Sequence, residues 1–206
     1  MGITIAMTAI VHPGVVFEGE ATVGEFAIVG EPCGNGEGRA TTRIGDGAHI
    51  RSHSVIYAGN VIGKNFQTGH GVLIREENTI GDDVSVGSSC NIEHHVVIGN
   101  RVRLHSGVFI PEFSVIEDDA WLGPRVVLTN ARYPKSPRAK KELKGPHIEK
   151  NARLGANVTI LPGITVGADS LVGAGSVVSR NVGPGEVVAG NPAQVINLVL
   201  NLPYDK

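Results

Sequence analysis

From Ile44 onward the chain repeats in sixes. Stepping by six gives Ile44, Ile50, Ile56, Ile62, Thr68, Ile74, Ile80, Val86, Ile92, Ile98, Leu104, Ile110, Ile116, Leu122 and Leu128, and only Thr68 is not aliphatic. The same phase runs earlier through Val11, Phe17, Val23 and Val29, and resumes through Ile148, Leu154, Ile160, Val166, Val172 and Val178. The position four further on is again small or apolar at Ala48, Phe66, Val72, Val84, Cys90, Val96, Val102, Val108, Ala120 and Val126. Each of these lies two before the next aliphatic position, and two inward residues two apart make the alternation of a β-strand. Between them stand turn formers: GDG after Ile44, GKN after Ile62, GDD after Ile80 and GNR after Ile98. Gly, Asn and Asp tolerate positive φ at tight bends. Each hexad therefore predicts a short strand and a corner, and no 3.6-residue pattern of comparable length competes.

Two stretches break the phase. Residues 31–43, EPCGNGEGRATTR, are Gly-rich and polar, and residues 129–147, TNARYPKSPRAKKELKGPH, hold three prolines and mostly basic charge. Both are predicted to be loops extruded at corners, the kind of segment that carries function on a rigid scaffold. Period six with aliphatic residues in phase resembles the hexapeptide-repeat, left-handed parallel β-helix, where three hexads close one triangular coil. The resemblance covers about 11–182. It implies an all-β fold of about eight coils spaced about 4.8 Å apart. The expected organisation is a single domain over 1–206, with loops at 31–43 and 129–147 and a short C-terminal tail at 183–206.

Composition narrows the reading. Glycine supplies 28 of 206 residues and aromatics only 4%, so the interior must be narrow and filled by aliphatic side chains. A net charge of −2 gives no global field for nucleic acid or a membrane surface. No apolar run reaches the ~18 residues of a membrane-spanning helix. The opening MGITIAMTAI lacks the basic and long apolar regions of a secretory signal, and Cys33 and Cys90 make no disulfide framework. These features point to a cytoplasmic protein.

If three hexads close a coil, residues 18 apart stack at three corners. One column is Asp46, Lys64, Asp82, Asn100 and Asp118, a solvated edge; a second is Ser52, His70, Ser88, Ser106 and Pro124. The third is Ala58, Glu76, His94, Glu112 and Asn130. Here His94 is predicted to lie between two carboxylates, with Asn130 where the basic loop departs. A carboxylate on one imidazole nitrogen fixes the tautomer and leaves the other nitrogen to take a proton. His94 is thus the candidate base, Glu76 and Glu112 are its orienting partners, and Asn130 completes the candidate set at the entry to the loop. His95, with Glu77 before it and Phe113 after it in the adjoining column, is a weaker candidate. His70, Arg75, His95, Arg132 and Tyr133 are the candidate substrate contacts.

Two chemistries are known on such helices. Zinc carbonic anhydrases carry two histidines five apart; in GHGVLIRE the second position is Arg75, which cannot ligate zinc, so no metal is expected. By contrast LGANVTILPGITVGADSLVGAGSVVSRNVGPGEVVAGNPAQVI closely resembles the closing coils of bacterial hexapeptide acetyltransferases. That resemblance implies acetyl-CoA as co-substrate, contacts from Ala156, Ala174, Ser179 and Arg180, and a homotrimer with sites between subunits. Gln194 stands where those enzymes carry a basic residue, and Trp121 is a candidate for packing across the interface. Galactoside, chloramphenicol and serine O-acetyltransferases place a histidine near the extruded loop; here the entry is LTNARYPKSP, with Asn130. The segment from Gly123 to Ile160 instead looks like the 3-N-acetyltransferases of nucleotide-linked amino sugars. NIEHHVVIG is similar to the IEH phrase of bacillosamine-type N-acetyltransferases, with His94 as base and His95 replacing the acid that follows it. Together they imply acetyl transfer to a nucleotide-sugar amine by direct attack on the thioester. The alternatives are O-acetyl transfer to a sugar or small hydroxyl and, further off, a zinc hydratase.

Overall fold

A computed structural model of the chain describes residues 2–34 and 40–205, so residues 35–39 of the first expected loop lie outside the described residues. The strands build three sheets of 11, 9 and 8 strands, and as far as Val177–Val178 successive strands go to successive sheets. Pairing is parallel everywhere except at the last strand, Ala193–Leu198. Leu73 pairs with Asn91 and Asn91 with Phe109, an offset of 18. The result is an all-β parallel β-helix, consistent with the left-handed form.

The first face holds ten parallel strands and then the antiparallel one, so there are about ten coils rather than eight. The extra turns lie at the two ends. Ile3–Ile5 starts the helix by pairing with Ala21–Val23. Glu186–Gly190, expected to be tail, completes a coil against Leu171–Val172, and Ala193–Leu198 folds back on it.

The basic loop is also narrower than expected. Thr129 still donates to the Ile160 carbonyl at 3.0 Å, and His147–Ile148 is a strand. Across the loop the register offset becomes 32, as in Trp121 with Arg153 and Val127 with Thr159. The excess over 18 is 14 residues, which matches 131–144. The Lys144 N–H donates to the Asn130 carbonyl at 2.9 Å, closing the neck of the loop. Gly145 then rejoins the coil hard against the Phe113–Ser114 backbone, where a Cβ would come within 2.4 Å.

The interior is a column of fully buried Ile, Leu and Val with Phe66 the largest side chain in it. Each such burial contributes about 1.5–3 kcal/mol. Two inward positions are amides. Asn60 Nδ2 donates to the carbonyls of Tyr57 at 2.7 Å and Arg75 at 2.8 Å, and its Oδ1 accepts the Asn78 N–H at 2.9 Å. Asn78 repeats the pattern one coil on, from Nδ2 to Arg75 O at 2.8 Å and from Val96 N–H to Oδ1 at 2.7 Å. Buried backbone groups demand such partners, and this ladder lines the inside of the corner between the second and third faces. On that corner Glu77, His95 and Phe113 take left-handed φ of 59°, 57° and 64°. The corner between the third and first faces is a hydrogen-bonded ladder rather than a merely solvated edge. There the carboxylate or amide oxygens of Asp82, Asn100 and Asp118 accept the N–H of Lys64, Asp82 and Asn100 at 2.7–2.8 Å.

Candidate active site on the second corner

Glu76, His94, Glu112, Asn130 and Arg180 all follow second-face strands and therefore share one corner. His94, Glu112 and Asn130 form a ladder along it. Asn130, nearly buried at 9% exposure, donates from Nδ2 to Glu112 Oε2 at 2.6 Å. The other oxygen of Glu112 lies 3.7 Å from His94 Nε2, beyond hydrogen-bond length. His94 Nδ1 meets His95 Nδ1 at 2.7 Å, and His95 Nε2 meets Glu77 Oε2 at 2.8 Å.

These contacts order the protons. A carboxylate only accepts, so His95 Nε2 carries the hydrogen toward Glu77. Neutral His95 then offers a lone pair at Nδ1, which His94 Nδ1–H must donate into. Neutral His94 is left with its lone pair on Nε2, facing the 3.7 Å gap to Glu112. The Phe113 ring packs edge-on to His94, with centroids 6.0 Å apart, and against His95 at 5.7 Å.

Glu76 does not bracket His94 as expected. It faces Arg75, which grips it with Nε at 2.8 Å and Nη2 at 3.0 Å, and Cys33 Sγ donates to it at 3.2 Å. Burial pushes the Glu76 carboxyl up, but the Arg75 hydrogen bonds, its own N–H, the Cys33 thiol and the Arg75 charge outweigh this and hold it at about 2, against an ordinary 4.5. Arg75 is committed in turn: its Nη1 reaches Glu93 at 3.6 Å and its guanidinium lies 5.0 Å from the Tyr57 ring centre. Its own pKa rises above the ordinary value, chiefly through Glu76 and against desolvation. The orienting chain of His94 is therefore His95–Glu77. His95 meets its chain neighbour His94, a contact that no column of residues 18 apart can reveal.

The remaining candidates are dispersed. His70 is exposed on the corner between the first and second faces, where its Nδ1 meets Ser52 Oγ at 2.8 Å. Ala156 and Ala174 stack on that same corner: Gly175 N–H donates to the Ala156 carbonyl at 2.8 Å, and a Cβ on Gly155 would strike Ala174 N at 2.6 Å. Ser179 and Arg180 are exposed, and Arg180 Nη2 donates to Gln194 Oε1 at 3.2 Å. Arg132 and Tyr133 are exposed on the loop. Trp121 stands on the first face with its ring 4.6 Å from His105; burial, and then Arg103, lower the pKa of that imidazole. Among the described residues no three His, Cys, Asp or Glu converge as a metal-binding group, and no helix is long and apolar enough to cross a membrane.

Residues 79–112 and 145–180 match the family model described as bacterial transferase hexapeptide (six repeats). Those two stretches carry the hexapeptide repeats that this model describes, and the relatives to which the chain is similar include acetyltransferases. Galactoside O-acetyltransferase of Lactococcus lactis is 39% identical over 77 residues, 35% of this chain and 37% of that protein. The chain thus spans well under half the length of that curated relative. The UDP-N-acetylglucosamine O-acyltransferase of Moraxella catarrhalis superposes over 96% of this chain and 75% of its own, with TM-score 0.78 and 22% identity, a likeness of fold. A galactoside acetyltransferase in complex with coenzyme A is 26% identical, with TM-score 0.51 over 66% of each chain.

Proposed function

We propose that the protein is an acyl-CoA-dependent acetyltransferase in which His94 Nε2 takes the proton of the acceptor nucleophile. The observation that carries this reading is the contact chain Glu77–His95–His94, which with both imidazoles neutral leaves one basic nitrogen facing a gap lined by Glu112. The acceptor nitrogen attacks the thioester carbonyl carbon, and the carbonyl electrons collect on oxygen. They then collapse to break the C–S bond, releasing the CoA thiolate. The nucleophile's proton passes to His94 and on to the departing sulfur. Protonated His94 is stabilised by Glu112 and, through His95, by Glu77. Asn130 keeps Glu112 on the edge.

Acetyl-CoA as donor is supported by the likeness to the coenzyme A-bound galactoside acetyltransferase and by the small residues Ala156 and Ala174. Those residues lie one corner away from His94, across the second face. The outward positions of that face, Val55, Leu73, Phe109 and Val127, are largely apolar. A homotrimer packed along it brings the alanine corner of one copy toward the histidine corner of the next, with Arg180 near the CoA phosphates. We assign the acceptor to the amine of a nucleotide-linked amino sugar, with Arg132, Tyr133 and the loop cations meeting its sugar or diphosphate. Acetyl transfer to a sugar hydroxyl is the second reading, favoured by the Lactococcus relative.

Incubation with acetyl-CoA and either nucleotide amino sugars or simple glycosides, followed by mass and NMR analysis of the product, separates the two. An amide product supports the first, an ester the second, and absence of acetyl transfer to either class overturns the proposal.

A further inference from the structure

A second cleft, of about 410 Å³, opens between the outward side of the first face, the corner between the third and first faces and the C-terminal segment. Its chemistry comes from Asn151, Arg153 and Asp169, and its apolar wall from Leu198, Leu200 and Tyr204. The Arg153 guanidinium lies over the Tyr204 ring, 4.5 Å from its centre. Arg153 Nη2 donates to Asn151 Oδ1 at 3.3 Å. Nη1 is shielded from solvent and has no acceptor among the described residues. Asp169 stands in the same cleft but accepts from the Asn151 amide instead. A guanidinium nitrogen stripped of water without an acceptor loses its hydration uncompensated, and such an orphan calls for an explanation.

We propose that this cleft binds a small monocarboxylate with an apolar arm, its carboxylate on the Arg153 guanidinium and its arm along Leu198, Leu200 and Tyr204. The Asp169 carboxylate in the same cleft repels a dianion, so a phosphate is the poorer occupant. The cleft volume falls within the range of small-molecule sites. Its lining includes neither the residues of the histidine corner nor Ala156 and Ala174 of the alanine corner, so its occupant is neither the acetyl donor nor the acceptor.

Calorimetry with 4-methylpentanoate on the full chain tests the proposal. Fluorescence of Trp121, the one tryptophan and the cross-strand neighbour of Arg153, gives a second readout. Saturable binding is expected in both, weakened at least tenfold in Arg153→Met, which keeps an unbranched arm over Tyr204 but removes the donors. Tyr204→Leu, at the exposed end of the chain, is expected to weaken it severalfold. Inorganic phosphate should bind more weakly than the acid. Absence of binding, unchanged affinity in both variants, or tighter binding of phosphate would overturn the assignment. Because binding is read directly, none of these results bears on acetyl transfer.

Discussion

Replacing His95 by Phe isolates the step on which the proton order rests. A phenyl ring fits there: Phe113 already holds the equivalent left-handed position one coil on, at φ 64°, and packs against both imidazoles. The substitution removes the acceptor for His94 Nδ1–H, a contact of 2.7 Å. A neutral hydrogen bond of this kind contributes about 0.5–1.5 kcal/mol. His95 is half exposed, so water takes over part of its role. At about 1.36 kcal/mol per tenfold in rate, kcat should fall roughly two- to tenfold. Removing the base itself, by His94→Ala, should cost about 10²–10⁴. The double variant should be no slower than His94→Ala, because His95 acts only through His94. Loss of the thioester is followed directly in the ultraviolet, since the exposed Cys33 would react with a thiol dye. A His95→Phe defect as deep as that of His94→Ala, or a double variant slower by the product of the two, would mean that the imidazoles act separately and that the relay is wrong.

Three further outcomes follow from the geometry. The depressed Glu76 carboxyl stabilises the fold fully above its ordinary value of 4.5 and loses that contribution as pH falls toward about 2. Urea unfolding should therefore show the native chain losing about 1–2 kcal/mol more than Glu76→Gln across this window, a figure discounted because Arg75 is 31% exposed; parallel losses would refute the coupling. Asn78→Ala orphans the Val96 N–H and should lower unfolding free energy by about 1–3 kcal/mol, whereas a change within measurement error would show that water fills the place. Deleting 131–144 puts Ile148 six residues after Leu128, so circular dichroism and melting temperature should hardly change while acetyl transfer is lost; an unfolded product would contradict the insertion register.

The hexad phase made the middle of the prism legible because every inward position there feeds one narrow interior. It faltered where the count changes. Leu171 pairs with Val187, 16 residues on rather than 18, so the coil at Glu186–Gly190 fell out of step and read as tail. At the other end the phase continues one step, from Val11 back to Ile5. Asn60 and Asn78 were invisible to a search for apolar residues, since they satisfy carbonyls and N–H groups that hydropathy does not count. The third column brought His94, Glu112 and Asn130 together correctly as neighbours. It could not foresee that Glu76 would be captured by the residue beside it, Arg75, nor that His95 would meet His94.

The left-handed backbone at His95 has a cost. An L residue with a Cβ at φ near 57° is held roughly 1–2 kcal/mol uphill. Gly71, Gly107, Gly163 and Gly175, at the matching place in other hexads, adopt the same bend without it, at φ of 62–73°. Position 95 carries an imidazole where those four hexads carry glycine. A His95→Gly chain should therefore withstand heat better and turn over more slowly, a trade between durability and speed set by one backbone torsion.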